Sequence, residues 1–90
     1  MAEPVLERRF SRRAYDLYQL LEEPLLKSGY NRFEIQSRLD EITKRAAQET
    51  ESPNNPRSLF YEFFGNVLIC AVTRTENHVR VRITDFKKII

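Results

Sequence analysis

The chain has 90 residues, with fifteen Lys and Arg against thirteen Asp and Glu, a formal net charge of +2, and 41% hydrophobic against 31% charged residues. That length and make-up describe one soluble globular domain, residues 1–90, whose core is modest because a chain this size buries only about 60–65% of its unfolded surface. A lone cysteine excludes an internal disulfide, one Cys with one His excludes a zinc site, and no apolar run reaches the ~18–20 residues needed to cross a bilayer. With no secretory h-region in view, the expectation is a cytoplasmic protein without a cofactor and without membrane association.

The opening stretch "VLERRFSRRAYDLYQLL" has two readings. As one long helix from Pro4, it sets Leu6, Phe10, Ala14, Leu17 and Leu21 on a single stripe, and the fold order becomes α-α-β-β-β. Four arginines then crowd the positive end of the helix dipole while Glu22 and Glu23 sit toward the negative end, both unfavourable. As a strand over Val5–Phe10 with Ser11 as N-cap, the helix that follows turns Ala14, Leu17, Tyr18 and Leu21 inward and bends or stops near Pro24. Arg12 and Arg13 still oppose the dipole, so these residues alone leave the two readings level.

The junction "KSGYNRFEI" carries the best local signals. Gly29 suits the left-handed end of a helix, Asn31 is a good N-cap, and Glu34 is placed to complete a capping box. Tyr30 and Ile35 occupy the hydrophobic-staple positions. A second helix therefore runs from Arg32 to about Glu49, with Ile35, Leu39, Ile42 and Ala46 as its apolar stripe. Glu34–Arg38, Asp40–Lys44 and Glu41–Arg45 are spaced as i,i+4 pairs on the outer side, each worth about 0.2–0.5 kcal/mol. A helix-turn-helix, with Arg32, Phe33 and Gln36 toward bases, is the less favoured alternative, since these charges are self-paired.

Past the loop "TESPNNPRS", which Pro53 and Pro56 keep irregular, the pattern changes to β. "SLFYEFF" reads as an aromatic strand, and Gly65-Asn66 as a two-residue hairpin turn. "VLICAVT" is apolar on both faces and reads as a central strand that wants cover on both sides, with Cys70 as a buried small hydrophobe. "TENH" is the next turn, where His78 reads as a solvated residue without a partner. "VRVRITDF" alternates, Val79, Val81 and Ile83 inward, Arg80, Arg82 and Thr84 outward.

"VLERRFSRRAYDLYQL" resembles the opening of RelE/ParE-superfamily toxins, where a strand hands over to a helix bearing Ala and Asp-Leu at the spacing of Ala14 and Asp16-Leu17. "IQSRLDEITKRAAQETESPNNP" is similar to that family's second helix and its acidic, Pro-containing loop, and "LFYEFFGNVLICAVTRTENHVRVRITDFKKI" to its β-meander. The resemblance spans nearly the whole chain through loose motifs. It implies an α+β domain, two helices packed on a small antiparallel sheet in the order β-α-α-β-β-β. It further implies a toxin neutralised by an antitoxin, acting either on mRNA at the ribosome as a metal-free endoribonuclease or on DNA gyrase.

The family's catalytic positions are not matched. The Arg that often follows the Gly turn falls at Leu68, the His-Arg pair of the last strand at Asp85-Phe86, and the late Tyr at Ile90. Whether the chain is an enzyme stays open. The C-terminal third is basic, and Arg80, Arg82, Arg74, Lys87, Lys88 and Arg57 form the candidate patch for nucleic acid, the ribosome or an acidic partner. The alternative is a non-catalytic interaction module that forms a homodimer through the apolar sheet face.

Overall fold

A computed structural model describes residues 4–49 and 58–89. The elements run β1 (Val5–Phe10), α1 (Arg12–Lys27), α2 (Arg32–Glu49), β2 (Ser58–Phe63), β3 (Asn66–Arg74) and β4 (His78–Lys88). This is an α+β fold in the order β-α-α-β-β-β, so the single long N-terminal helix is ruled out. The loop preceding β2, including Arg57, lies outside the described residues.

Ser11 ends the strand and starts the helix. Its N–H donates to the Ile83 carbonyl at 2.9 Å, its hydroxyl donates to the Thr84 carbonyl at 3.1 Å, and its Oγ accepts the Ala14 N–H as N-cap at 3.1 Å. Backbone on one side is thereby held by the sheet while the next residue already turns helical. α1 then continues through Pro24 to Lys27 rather than stopping there. The proline withholds one N–H from Leu20, yet the last turn keeps Leu25 and Leu26 packed against the core.

The second junction forms as its residues demand. Gly29 takes φ +105°, and the N–H groups of Gly29 and Tyr30 close back on the carbonyls of Leu26 and Leu25 at 3.2 and 3.1 Å, a Schellman end. Asn31 Oδ1 accepts the Glu34 N–H at 2.8 Å, and Glu34 Oε1 accepts the Asn31 N–H at 3.2 Å. Tyr30 stacks against Phe64 of the β2–β3 turn with ring centroids 4.7 Å apart. The expected i,i+4 pairs along α2 give way to other partners: Asp40 binds Arg8 of β1, while Arg38 binds Glu41 one turn on and Glu62 of β2.

The four strands lie in the order β1-β4-β3-β2, with β1 parallel to β4 and the other pairs antiparallel. The sheet is therefore mixed, not purely antiparallel. No hairpin dictates the direction of β1, and the parallel register sets Glu7 against Arg80 and brings Ser11 to Ile83. Two strand-level readings are also corrected. The hairpin corner is Phe64-Gly65, both at positive φ (47° and 80°), while Asn66 opens β3 and holds the corner by donating to the carbonyls of Phe63 and Phe64. His78 opens β4 instead of sitting in the turn.

Both helices cover one side of the sheet. Ala14 and Tyr18 from α1, Ile35, Leu39, Ile42 and Ala46 from α2, and Tyr61, Phe63, Leu68, Cys70, Val72, Val79, Val81, Ile83 and Phe86 from the sheet form one buried cluster. Removing that apolar surface from water, at about 25 cal/mol per Å², is the main stabilising contribution. At Thr84 a β-bulge shifts the register, so inward-facing positions change from Ile83 to Phe86, and Thr84 Oγ1 donates to the Ile69 carbonyl at 3.2 Å.

Candidate nucleic-acid interface

The second side of the sheet is covered by neither helix. Strand alternation and register assemble it in rows: Arg9, Arg82, Ala71 and Ser58 across all four strands; Glu7, Arg80 and Thr73 across three; Lys87, Val67 and Glu62 at the other end. Phe60 lies opposite Ile69 and is 64% exposed. One half of the face is cationic, along β1 and β4. The other is apolar, along β3 and β2.

Glu7 organises the cationic half. Its Oε1 meets the Nε of Arg9, its Oε2 lies 2.5 Å from His78 Nε2, and an Arg80 guanidinium nitrogen stands 3.6 Å away. Arg9, then the hydrogen bond from His78 and the charge of Arg80, hold the Glu7 carboxyl below its ordinary value against the opposing effect of desolvation. One carboxylate is shared by two arginines and a histidine, so the cluster keeps a positive excess. Among the described residues Arg82 and Lys87 form no ion pair, and both are exposed.

The six basic residues singled out from the sequence do not make one patch. Arg80, Arg82 and Lys87 share the open face. Arg74 points to the helical side, where its guanidinium donates to the Ala47 carbonyl of α2. Lys88 lines a groove with Leu17, Leu21, Phe64 and Phe86, and Arg57 lies outside the described residues. Conversely, Arg9, Glu7 and His78 belong to the face and were missed. Their signal was the alternation Glu7–Arg9 within Val5–Phe10, which acquires meaning only when β1 is laid beside β4.

Of the side chains offered to a helix-turn-helix, Gln36 is otherwise used, whereas Arg32 and Phe33 stay exposed. Gln36 donates to the Tyr18 hydroxyl at 3.0 Å and accepts from Arg8 at 3.3 Å. Cys70 is fully buried, and burial, then the charge of Glu49, pushes its thiol up to about 11. Among the described residues no group of three or more His, Cys, Asp or Glu is placed to hold a metal ion, and no helix is long and apolar enough to cross a membrane.

Together these features define a small α+β protein whose mixed sheet is helix-covered on one side and bears a cationic stripe beside an apolar strip on the other. No family model, curated protein or solved structure matches the chain.

Proposed function

We propose that this is a toxin-like protein of the RelE/ParE kind that takes single-stranded RNA on the open face of its sheet. The observation that carries the reading is the pairing of two exposed cations that form no ion pair among the described residues, Arg82 and Lys87, with an exposed aromatic, Phe60, on the sheet side that neither helix covers. Phosphates are drawn to the guanidinium and ammonium groups, and an unpaired base has a ring to stack on. The element order implied by the resemblance is the order observed, which supports the toxin part of the reading. The reading is one of binding: the positions where the family places its catalytic groups hold Leu68, Asp85 and Phe86. An antitoxin-like protein would neutralise such a molecule by covering the same face.

Anisotropy of a labelled single-stranded RNA, titrated with salt, tests it. Affinity should fall steeply with salt, and Arg82→Ala/Lys87→Ala should reduce the slope by about 0.7 for each phosphate that is no longer neutralised. Binding that ignores both salt and the substitutions defeats the reading. Growth arrest on induced expression, relieved by the same pair, tests the toxin assignment.

One observation favours a second reading. Val67, Ile69 and Ala71 are only half-buried beside exposed Phe60, an apolar strip suited to a homodimer through this face. A stable dimer in light scattering that Phe60→Ser/Ile69→Ser dissolves, with no RNA binding in the parent protein, would replace the first reading by this one.

A further inference from the structure

We infer that the free edge of β1 pairs antiparallel with the same edge of a second copy, about a two-fold axis at Arg8. β1 is an outer strand of the sheet, and bonds at both its ends reveal which backbone groups face away from β4. Val5 N–H donates to Asn77 and the N–H of Ser11 to Ile83, so odd-numbered residues point their N–H and C=O groups into the sheet. Those of Leu6, Arg8 and Phe10 point outward, and none has a partner among the described residues.

The two sheet edges are treated differently. At β2, Arg38 of α2 reaches over and donates to the Glu62 carbonyl through Nε and a terminal nitrogen at 3.2 and 2.7 Å, which occupies an edge acceptor. Among the described residues nothing of the kind covers β1. Alongside it runs an open groove of about 550 Å³ lined by Pro4, Leu6, Lys44, Ala47, Arg74 and Val79.

Register follows from parity and charge. A symmetric antiparallel pair must bring outward-pointing residues together, which leaves axes at Glu7, Arg8 or Arg9 near the strand centre. An axis at Glu7 opposes two carboxylates, and one at Arg9 opposes two guanidinium groups, both repulsive. An axis at Arg8 sets Glu7 opposite Arg9 of the second copy, twice, on the open face. On the helical side it sets Leu6, which is 42% exposed, opposite Phe10 of the second copy, also twice. All three outward N–H groups and all three carbonyls then find partners. The one like-charge pair, Arg8 with its copy, is relieved because each guanidinium already holds Asp40 at 2.7 Å and Gln36 at 3.3 Å. The strand is self-complementary in this register alone, and the product is a continuous eight-stranded sheet that joins two cationic stripes.

Sedimentation between micromolar and millimolar concentration tests the pairing. The expected result is a concentration-dependent rise from 10.7 kDa toward twice that mass. Amide exchange at Leu6, Arg8 and Phe10 should slow with concentration, while Glu7 and Arg9, already in the ladder, should not change. Leu6→Pro removes an edge donor without touching a bond to β4, so it should give a monomer with an unaltered circular dichroism spectrum. Arg9→Glu, which opposes carboxylates at two places, should do the same. A monomer at every concentration overturns the inference. So does a dimer that survives Leu6→Pro with exchange at those three amides unchanged, since that dimer forms elsewhere.

Discussion

Glu7 and His78, seventy-one positions apart in the chain, place carboxylate Oε2 and imidazole Nε2 2.5 Å from each other on the open sheet face. The contact exists because β1 lies parallel to β4 with Val5 beside His78 and Glu7 beside Arg80. It puts an acid among Arg9, Arg80 and His78, where it tempers the attraction for anions and orients the cations around it.

Glu7→Gln therefore should tighten single-stranded RNA binding, by about twofold to tenfold at low salt, and steepen the salt dependence. The same variant has a pH signature. A carboxyl held below its ordinary value of 4.5 contributes stability that is present above that pH and lost as the pH falls through the lowered value. Melting temperatures between pH 3 and 6 should drop more steeply in the parent than in Glu7→Gln. Equal slopes would show that the cluster does nothing for the fold.

The alkaline side is governed by buried groups. Burial, then Glu49, pushes the Cys70 thiol from 9.0 up to about 11, and burial, then Glu22, pushes the Tyr18 hydroxyl from 10.0 up to about 12. Burial followed by Glu49, whose carboxylate accepts the Tyr61 hydroxyl at 2.5 Å, raises Tyr61 further still. Each group loses its proton first in the unfolded chain, so stability is complete below about pH 9 and declines as pH climbs through 11 and 12. In Cys70→Ala the onset should move from near 9 to near 10 in melts scanned across that range. An unchanged onset would assign the decline to other groups.

Gly65→Ala isolates backbone strain. At φ +80° nothing lies within 4 Å of where the methyl would stand, so the substitution meets conformational cost without a clash. The expected loss is about 1 kcal/mol, seen as a fall of about 4–8 °C in melting temperature. A neutral result would mean that the corner at Phe64-Gly65 relaxes to another turn.

Pro24→Ala should act in the opposite direction. The proline sits inside α1, and alanine restores an N–H aimed at the carbonyl of Leu20 while adding helix propensity. A gain of about 1–3 kcal/mol is expected by denaturant unfolding. No gain would indicate that the proline's fixed backbone angle is needed to keep Leu25 and Leu26 on the core.

Local chemistry by itself determined α2, the strands that follow it and most of the buried stripes, but it left Val5–Phe10 level between strand and helix. The Gly29 helix end, the Asn31–Glu34 box and the stripe Ile35, Leu39, Ile42 and Ala46 each rest on residues close together in the chain, where spacing translates directly into geometry. The alternation Val79, Val81, Ile83 was equally readable, because a strand has a period of two. The tertiary structure alone decided the strand order, the parallel seating of β1 and the grouping of charges. Arg74 and Arg80 look alike in the sequence, yet opposite strand parity sends one to the Ala47 carbonyl under the helices and the other to the open face beside Glu7. Pairing between distant strands depends on register, and a one-residue slip exchanges the two faces, so no short-range pattern carries that information.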